Sequence, residues 1–399
     1  YRYFEQGNLF SIKADPASTN THKLLYLLSQ IKVIVGYYFL KLLAPFNLNF
    51  EPDIVLYSNW FHWGWVISLT ILLITGIIIF KQQSKLIKFG ALWFLITLLP
   101  TSSFIPLKQL ATEHRTYLPG LGFSLVLGWM ILNIKNYQKV AKLLFLIFIL
   151  LLSTLTLNRS LDFRSEVSLW EDTSLKSPRK ALVHNNLATA YMADNQLQKA
   201  KDALITALTI NPSQTDSYIN LGHIAGREKN WEKAIEKFDL GISLGTQKAD
   251  TYYYSGVARK NLGRCKEARP YFERAISLKP FKADYYFDLG NSYKNLKLFD
   301  NSLHQFRKTL EIDPNHYKAH NNMGTIFWVL GATDQARVAF ENVLSIKPYI
   351  PAIHNNLAAI DIKKGDYKKA IPHLEKLISL QPENINAQKL LQFSLGKIR

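Results

Sequence analysis

From residue 178 onward the chain repeats itself every 34 residues, and nothing else in it constrains the fold so strongly. Prolines stand at Pro178, Pro212, Pro280, Pro314, Pro348 and Pro382, with spacings of 34, 68, 34, 34 and 34. Thr246 fills the slot that the double spacing skips. Three further registers run in phase with the prolines. One is Ala200, Ala234, Ala268, Ser302, Ala336 and Ala370; another is Ala188, Gly222, Gly256, Gly290, Gly324 and Ala358. The last is Leu204, Phe238, Phe272, Phe306, Phe340 and Leu374. Small residues at fixed places let two antiparallel helices approach closely. The Phe or Leu fills the space beside them, and the proline ends one unit and starts the next. A unit this short cannot bury its apolar face alone, so neighbours must stack into one continuous core. The chain is therefore all-α here.

The pattern resembles the tetratricopeptide repeat, in units 181–214, 215–248, 249–282, 283–316, 317–350 and 351–384. Residues 385–399 read as a terminal helix that caps the last repeat. The first helix of each pair lines the inner surface of such an α-solenoid. The sixth position of each unit reads Asn186, Asn220, Tyr254, Asp288, Asn322 and Asn356, and three units add Asn185, Asn321 and Asn355 just before it. An amide offers both a donor and an acceptor, so a ladder of them can hold an extended peptide backbone without reading its sequence. The plainer reading is that these amides only link neighbouring repeats. His184, His320 and His354 recur with the period and read as groove surface, not as metal ligands.

The first part of the chain is of another kind. Phe61–Phe80, Phe89–Leu107, Tyr117–Ile134 and Leu143–Leu157 are almost wholly apolar. A spanning helix needs about 20 apolar residues, and these stretches show no polar face. Four transmembrane helices are thus predicted within 61–158, making this a multi-pass membrane region. Residues 23–46 are also apolar but carry Lys32 and Lys41, so an interfacial or protein-covered helix is expected within an extracytoplasmic loop, 1–60. The loops 81–88 and 135–142 hold three lysines each; the opposite side holds Lys108, Arg115, Arg159 and Arg164. That bias of six to four puts the two lysine loops in the cytoplasm and the repeats outside, in the periplasm if the membrane is a bacterial inner membrane. Residues 159–180 form the connector. A link this short is expected to be helical and packed, with Trp170 covering the end of the first repeat or anchoring at the interface.

Lys and Arg outnumber Asp and Glu by 48 to 30, a net charge of +18. The lysines are spread through the repeats, and no nucleic-acid motif accompanies them, so a lipid surface or a protein partner is expected instead of nucleic acid. The lone cysteine, Cys265, excludes an internal disulfide framework and a Cys-based zinc site, and no metal site is expected. No nucleotide loop or nucleophile elbow is present. The most suggestive polar cluster is Glu113, His114 and Arg115, between two predicted membrane helices at the outer interface. Arg115 is its best anion partner, suited to a lipid phosphate; the competing reading is an interfacial loop anchored by Tyr117.

Three strings in order, YYFLKLLAPFNLNFEPD, TEHRTYLPGLGF and NRSLDFRSEVSLWEDTSLKSP followed by HNNLATAY, resemble one architecture. It is that of membrane proteins joining a glycosyltransferase C-type fold to C-terminal tetratricopeptide repeats, as in the animal protein O-mannosyltransferases and their bacterial relatives. The resemblance implies a transferase using a polyprenyl-phosphate sugar, with the repeats selecting a protein acceptor. Glu113 and Arg115, with Tyr117, Leu118 and Pro119 matching the family segment, would meet the donor phosphate. The resemblance identifies no divalent metal. It puts the family's acidic catalytic loop upstream of Tyr1, so no catalytic residue is expected in this chain, which reads as part of something longer. The alternative is a non-enzymatic membrane-anchored scaffold for envelope or polysaccharide assembly.

Overall fold

The computed structural model describes residues 20–54, 63–98, 111, 113–134 and 138–398, with backbone alone for 20–24, 113, 114 and 132. Helix and connecting loop account for all of them; no strand occurs among the described residues. The chain forms two compact units that divide after Gln214.

The first unit opens with a long helix. Its α1 segment, Asn20–Val33, continues through a π-helical stretch, Ile34–Phe39, into α2, Leu40–Leu43. Lys41 Nζ donates to the carbonyls of Phe46 at 2.5 Å and Asn47 at 3.2 Å, so its charge is held by the loop that follows the helix. Tyr26, Val33 and Tyr38 are buried, which makes this a protein-covered helix; Leu25–Leu43 is also long and apolar enough to cross a membrane. Then come α3 (Trp63–Lys81), α4 (Lys85–Leu98), α5 (Tyr117–Leu132) and α6 (Gln138–Asp162). Among the described residues, α3 and α6 are the other two helices that meet the length and apolarity of a span. The expected span Tyr117–Ile134 is a shorter apolar helix, and the stretch expected at 89–107 begins earlier, at Lys85, with 99–107 outside the described residues.

Glycines set the α4–α5 crossing. A Cβ on Gly90 would stand 2.7 Å from the Gly122 carbonyl oxygen, so the two backbones touch. Small residues are how helices associate where no hydrophobic effect acts between them. Trp93 Nε1 also donates to Leu118 O at 3.0 Å. The unit ends with the connector helix α7 (Glu166–Lys176) and the first repeat pair, α8 (Ala181–Ala193) and α9 (Leu197–Ile210).

The second unit holds five more pairs and a cap. They are α10 and α11 (Thr215–Arg227, Trp231–Ser243), α12 and α13 (Ala249–Asn261, Cys265–Leu278), and α14 and α15 (Ala283–Asn295, Phe299–Ile312). Then follow α16 and α17 (Tyr317–Val329, Thr333–Ile346), α18 and α19 (Pro351–Lys363, Tyr367–Leu380) and the cap α20 (Ile385–Ile398). Each pair closes on one contact. A Cβ on Gly222, Gly256, Gly290 or Gly324 would fall 2.7–2.8 Å from the ring of Phe238, Phe272, Phe306 or Phe340. Those rings are at most 2% exposed and cannot yield. Where the small residue is alanine, as at Ala188 and Ala358, the facing residue is leucine, Leu204 or Leu374. The two positions thus share one volume between them. A fifth register sits in the turn between the paired helices. Asn195, Lys229, Gly263, Lys297, Gly331 and Gly365 all have φ between 58° and 78°, so this turn needs one left-handed residue.

The shared volume is testable. Gly290→Ala should destabilise the repeats by about 1–3 kcal/mol through overpacking. Adding Phe306→Leu should recover a part of that loss, giving a favourable coupling in a double-mutant cycle read by denaturation. Purely additive effects would refute it.

Candidate functional site

Two places concentrate polar chemistry, one in each unit. The first is built around Glu51. After α2 the chain leaves the helix at Ala44 and runs as an irregular loop past Pro45 to Pro52, turning at Asn47 (φ 50°), and the connector clasps this loop. Asn49 Nδ2 donates to Ser177 Oγ at 2.8 Å, and Ser177 Oγ donates in turn to Glu51 O at 2.8 Å. Lys176 Nζ donates to Leu48 O at 2.7 Å. Phe50 packs edge-on against Trp170, centroids 5.5 Å apart, and against Phe163 at 6.2 Å. Trp170 is 5% exposed, so it packs in protein and does not anchor at an interface.

The Glu51 side chain is 1% exposed. Its Oε1 receives Lys180 Nζ at 3.0 Å, and the same ammonium donates to Pro52 O at 2.7 Å. Its Oε2 is buried and has no hydrogen-bond partner among the described residues. Burial pushes the carboxyl above the usual range, opposed by Lys180 and by the positive charge of Arg115. Arg115 lies in a single 3₁₀ turn, Glu113–Thr116, that leads into α5, and it is partly exposed. Of Glu113 and His114 only the backbone is described. The FNLNFEPD and connector strings, distant in sequence, thus meet at one buried carboxylate, and the charge of Arg115 in the TEHRTYLP string acts on it. Sequence reasoning missed Glu51. The signal lay in the FEPD string, but one acid beside a proline says nothing of burial without its partners.

The second place is the inner face of the second unit. Here the sixth-position side chains tie neighbouring repeats together. Asp288 receives Lys260 Nζ at 2.6 Å and Tyr253 OH at 2.7 Å. Asn322 accepts from Lys294 Nζ at 2.9 Å and donates to Asn291 Oδ1 at 2.7 Å. Asn291 Nδ2 reaches Asp288 Oδ1 at 3.3 Å. Tyr254, at the same register, stacks edge-on with His223, centroids 4.6 Å apart. Both hydrogen-bonding ends of the Asn322 amide therefore serve the solenoid itself, as the plainer reading of the ladder expects. Elsewhere in the register, Asn185 is buried, Asn186, Asn220, Asn321 and Asn356 are half-buried, and Asn355 is exposed.

The periodic histidines do something the sequence did not announce. His184, His320 and His354 each place Nε2 at 2.9–3.2 Å from the carbonyl of the proline six residues earlier, Pro178, Pro314 and Pro348. A carbonyl only accepts, so the ring donates. Gln388 makes the same bond to Pro382 O at 2.7 Å. These side chains lock the turn between repeats, which corrects their reading as groove surface. His354 Nδ1 also lies 3.2 Å from His373 Nδ1. With Nε2 of His354 donating, the proton between the rings comes from His373. No group of three or more metal-binding side chains occurs among the described residues.

Comparison with known proteins agrees with this architecture. The tetratricopeptide repeat family model matches residues 181–214, 249–282 and 283–316, and a second tetratricopeptide repeat model matches 330–392. The C-terminal half is a tetratricopeptide repeat solenoid. Protein O-mannosyl-transferase Tmtc2 of Drosophila melanogaster is 32% identical over 112 residues, covering 27% of this chain and 12% of that protein. Protein O-mannosyl-transferase F38B6.6 of Caenorhabditis elegans is 29% identical over 178 residues, covering 43% of this chain and 26% of that protein. The chain therefore spans 12% and 26% of these relatives' length, and the similarity is distant. Among solved structures, YrrB, described as a TPR protein with an unusual peptide-binding site, is 22% identical over 55% of this chain and 96% of YrrB, with a TM-score of 0.38. The C-terminal part of a TPR repeat-containing protein from Cytophaga hutchinsonii is 19% identical over 56% and 93%, with a TM-score of 0.49. Neither structural likeness carries the assignment. Tetratricopeptide repeats are protein-interaction modules, and the apolar helices associate this one with a membrane.

Two tests follow from the geometry. Lys180→Met should strand the Glu51 carboxylate and loosen the clasp by about 3 kcal/mol at most, because 24% of the Lys180 side chain is already in solvent. Glu51→Gln should loosen it less, since the charge that burial penalises is gone. Amide exchange of Asn49–Asp53 reads both; equal effects would refute the account. The second test uses acid. Burial first, then Arg227, lowers His223 from 6.5 to about 4, and burial, His354 and Arg337 lower His373. The unfolded chain then binds more protons, so this stability is present above about pH 6.5 and is lost as pH falls towards 4. Thermal melts should show that loss, and His223→Phe should reduce it.

Proposed function

We propose that this chain is part of a membrane glycosyltransferase of the protein O-mannosyltransferase kind, in which the repeats engage the protein acceptor. The single observation that carries the reading is the convergence on Glu51. Two strings that resemble this family, the loop and the connector, meet there, and the charge of Arg115 from the third acts on it. Under this reading the donor is a polyprenyl-phosphate sugar. Arg115 takes its phosphate, with Glu113 and His114 beside it in the same turn. A guanidinium suits that task because its planar donors match phosphate oxygens and it stays charged at every working pH. Glu51 and Lys180 hold the loop and the connector against the turn that carries Arg115, and so position it. As the sugar leaves, charge grows on the departing phosphate, and a fixed cation is worth most at that moment.

The amides of the inner face, Asn186, Asn220 and Asn356 with Asn321 and Asn355, would hold the acceptor as an extended peptide; Asn322 is committed to the solenoid and Asn185 is buried. The resemblance and the lysine bias of the loops support repeats on the outer side of the membrane, in the periplasm if the membrane is a bacterial inner membrane.

A second reading, a membrane-anchored scaffold without chemistry, is favoured by one observation: the family models match only the repeats. Donor binding separates the two. Arg115→Ala in the full-length protein should weaken binding of a polyprenyl-phosphate sugar by about tenfold, the scale of a lost charge-assisted hydrogen bond. Unchanged affinity would remove Arg115 from the donor site, and no donor binding by the parent protein would favour the scaffold.

A further inference from the structure

Among the described residues, two cations of the second unit, Lys294 and Lys363, have no carboxylate partner, and they flank one helix, α16. Lys260 and Lys294 make the comparison plain, since both occupy the twelfth position of their repeats. Each reaches forward to the sixth position of the next repeat. Lys260 Nζ meets a carboxylate, Asp288 Oδ1, at 2.6 Å. Lys294 Nζ makes the same reach and meets a neutral amide, Asn322 Oδ1, at 2.9 Å. One difference of side chain, Asp against Asn, leaves Lys294 unneutralised.

The position of Lys294 makes this more than a surface charge. Its ammonium is half-buried, and burial alone holds it below the usual lysine range, with no acid acting against that shift. A lysine kept only for solubility leaves its ammonium in water. The amide cannot turn to serve it better, because Asn322 Nδ2 is held by Asn291 Oδ1 at 2.7 Å. On the other side of α16, Lys363 Nζ lies 4.8 Å from the centroid of the Trp328 ring. No carboxylate pairs with Lys363 among the described residues. A cation–π contact orients the ammonium but leaves its charge intact. A strip therefore runs Lys294, Asn322, Trp328, Lys363 across α14, α16 and α18.

We infer that this strip receives the acidic side chains of an extended peptide, with Lys294 and Lys363 each taking a carboxylate. The inference rests on the peptide-groove reading above and adds the chemistry of the partner. An incoming carboxylate would restore to Lys294 the electrostatic partner that Lys260 already has. The choice of carboxylate over phosphate follows from the donors. Both are single ammonium groups, and the strip carries no arginine fork of the kind that matches a phosphate bidentately.

The test uses the whole chain in nanodiscs of a neutral phosphatidylcholine, so that lipid charge plays no part. Two fluorescein-labelled peptides serve as probes, a Gly-Glu-Ser repeat and a Gly-Gln-Ser repeat of equal length, read by anisotropy. The glutamate peptide should bind about tenfold tighter than its glutamine twin, as expected for pairing with the half-buried Lys294 and the exposed Lys363. Lys294→Met and Lys363→Met, which keep the apolar stems, should each reduce that preference, and the double variant should abolish it. Lys368→Met, an exposed change on α19, should leave it intact, and thermal melts should show all variants folded. Equal binding of the two peptides overturns the inference while the groove reading stands. A preference that survives the double variant also overturns it, as does displacement of the glutamate peptide by inorganic phosphate far below the acetate concentration needed. No binding of either peptide overturns the inference and the groove reading together.

Discussion

The contact of a glycine with a phenylalanine ring decides how closely the two helices of a repeat approach, and the second unit depends on it. At Gly290 and its equivalents there is no room for a methyl group, because Phe306 and its equivalents fill the space completely. The helix pair then presents a fixed outer surface to the next pair. Repetition does the rest, since each pair meets its neighbour in the same way. The alanine–leucine pairs at Ala188–Leu204 and Ala358–Leu374 keep the same total volume with the bulk shifted across the gap. Close packing has no preference about which helix supplies the volume, only that it be supplied.

With the helices so placed, polar side chains on the inner face fall within reach of the next repeat. Lys260 meets Asp288, Asn291 meets Asn322, and Lys294 meets Asn322. These ties make the inner face a stiff surface, which lowers the entropy that a bound peptide must overcome. They also consume hydrogen-bonding capacity that a ladder of free amides would offer. The face is consequently a mixture of groups committed to the solenoid and groups that are not.

In the first unit a different principle operates. Glu51 is enclosed by the connector, and its carboxylate is tolerable there only because Lys180 and Arg115 supply positive charge. The loop and the connector are thereby committed to one arrangement. Under the proposed donor reading, a cation that meets a phosphate beside them needs such commitment, because a loosely held side chain gives up much of its binding energy in being ordered.

The sequence by itself determined the repeats, because a 34-residue period forces the same small and large residues to recur wherever helices touch. It also determined the apolar helices, because hydrocarbon length and charge exclusion act on local composition. Only the tertiary structure decided the rest. Whether Asn322 binds a peptide or a neighbouring repeat depends on Asn291 and Lys294, two helices' worth of chain away. That His184, His320 and His354 lock turns depends on the position of a carbonyl, which no residue type reveals. Glu51 was legible as an acid but not as a buried one, since burial is conferred by Ser177, Lys180 and Trp170 from more than a hundred residues further on. Periodicity reports what each repeat shares with the others. The chemistry of this protein lies in where the repeats differ and in contacts between distant strings, and those exist only once the chain has folded.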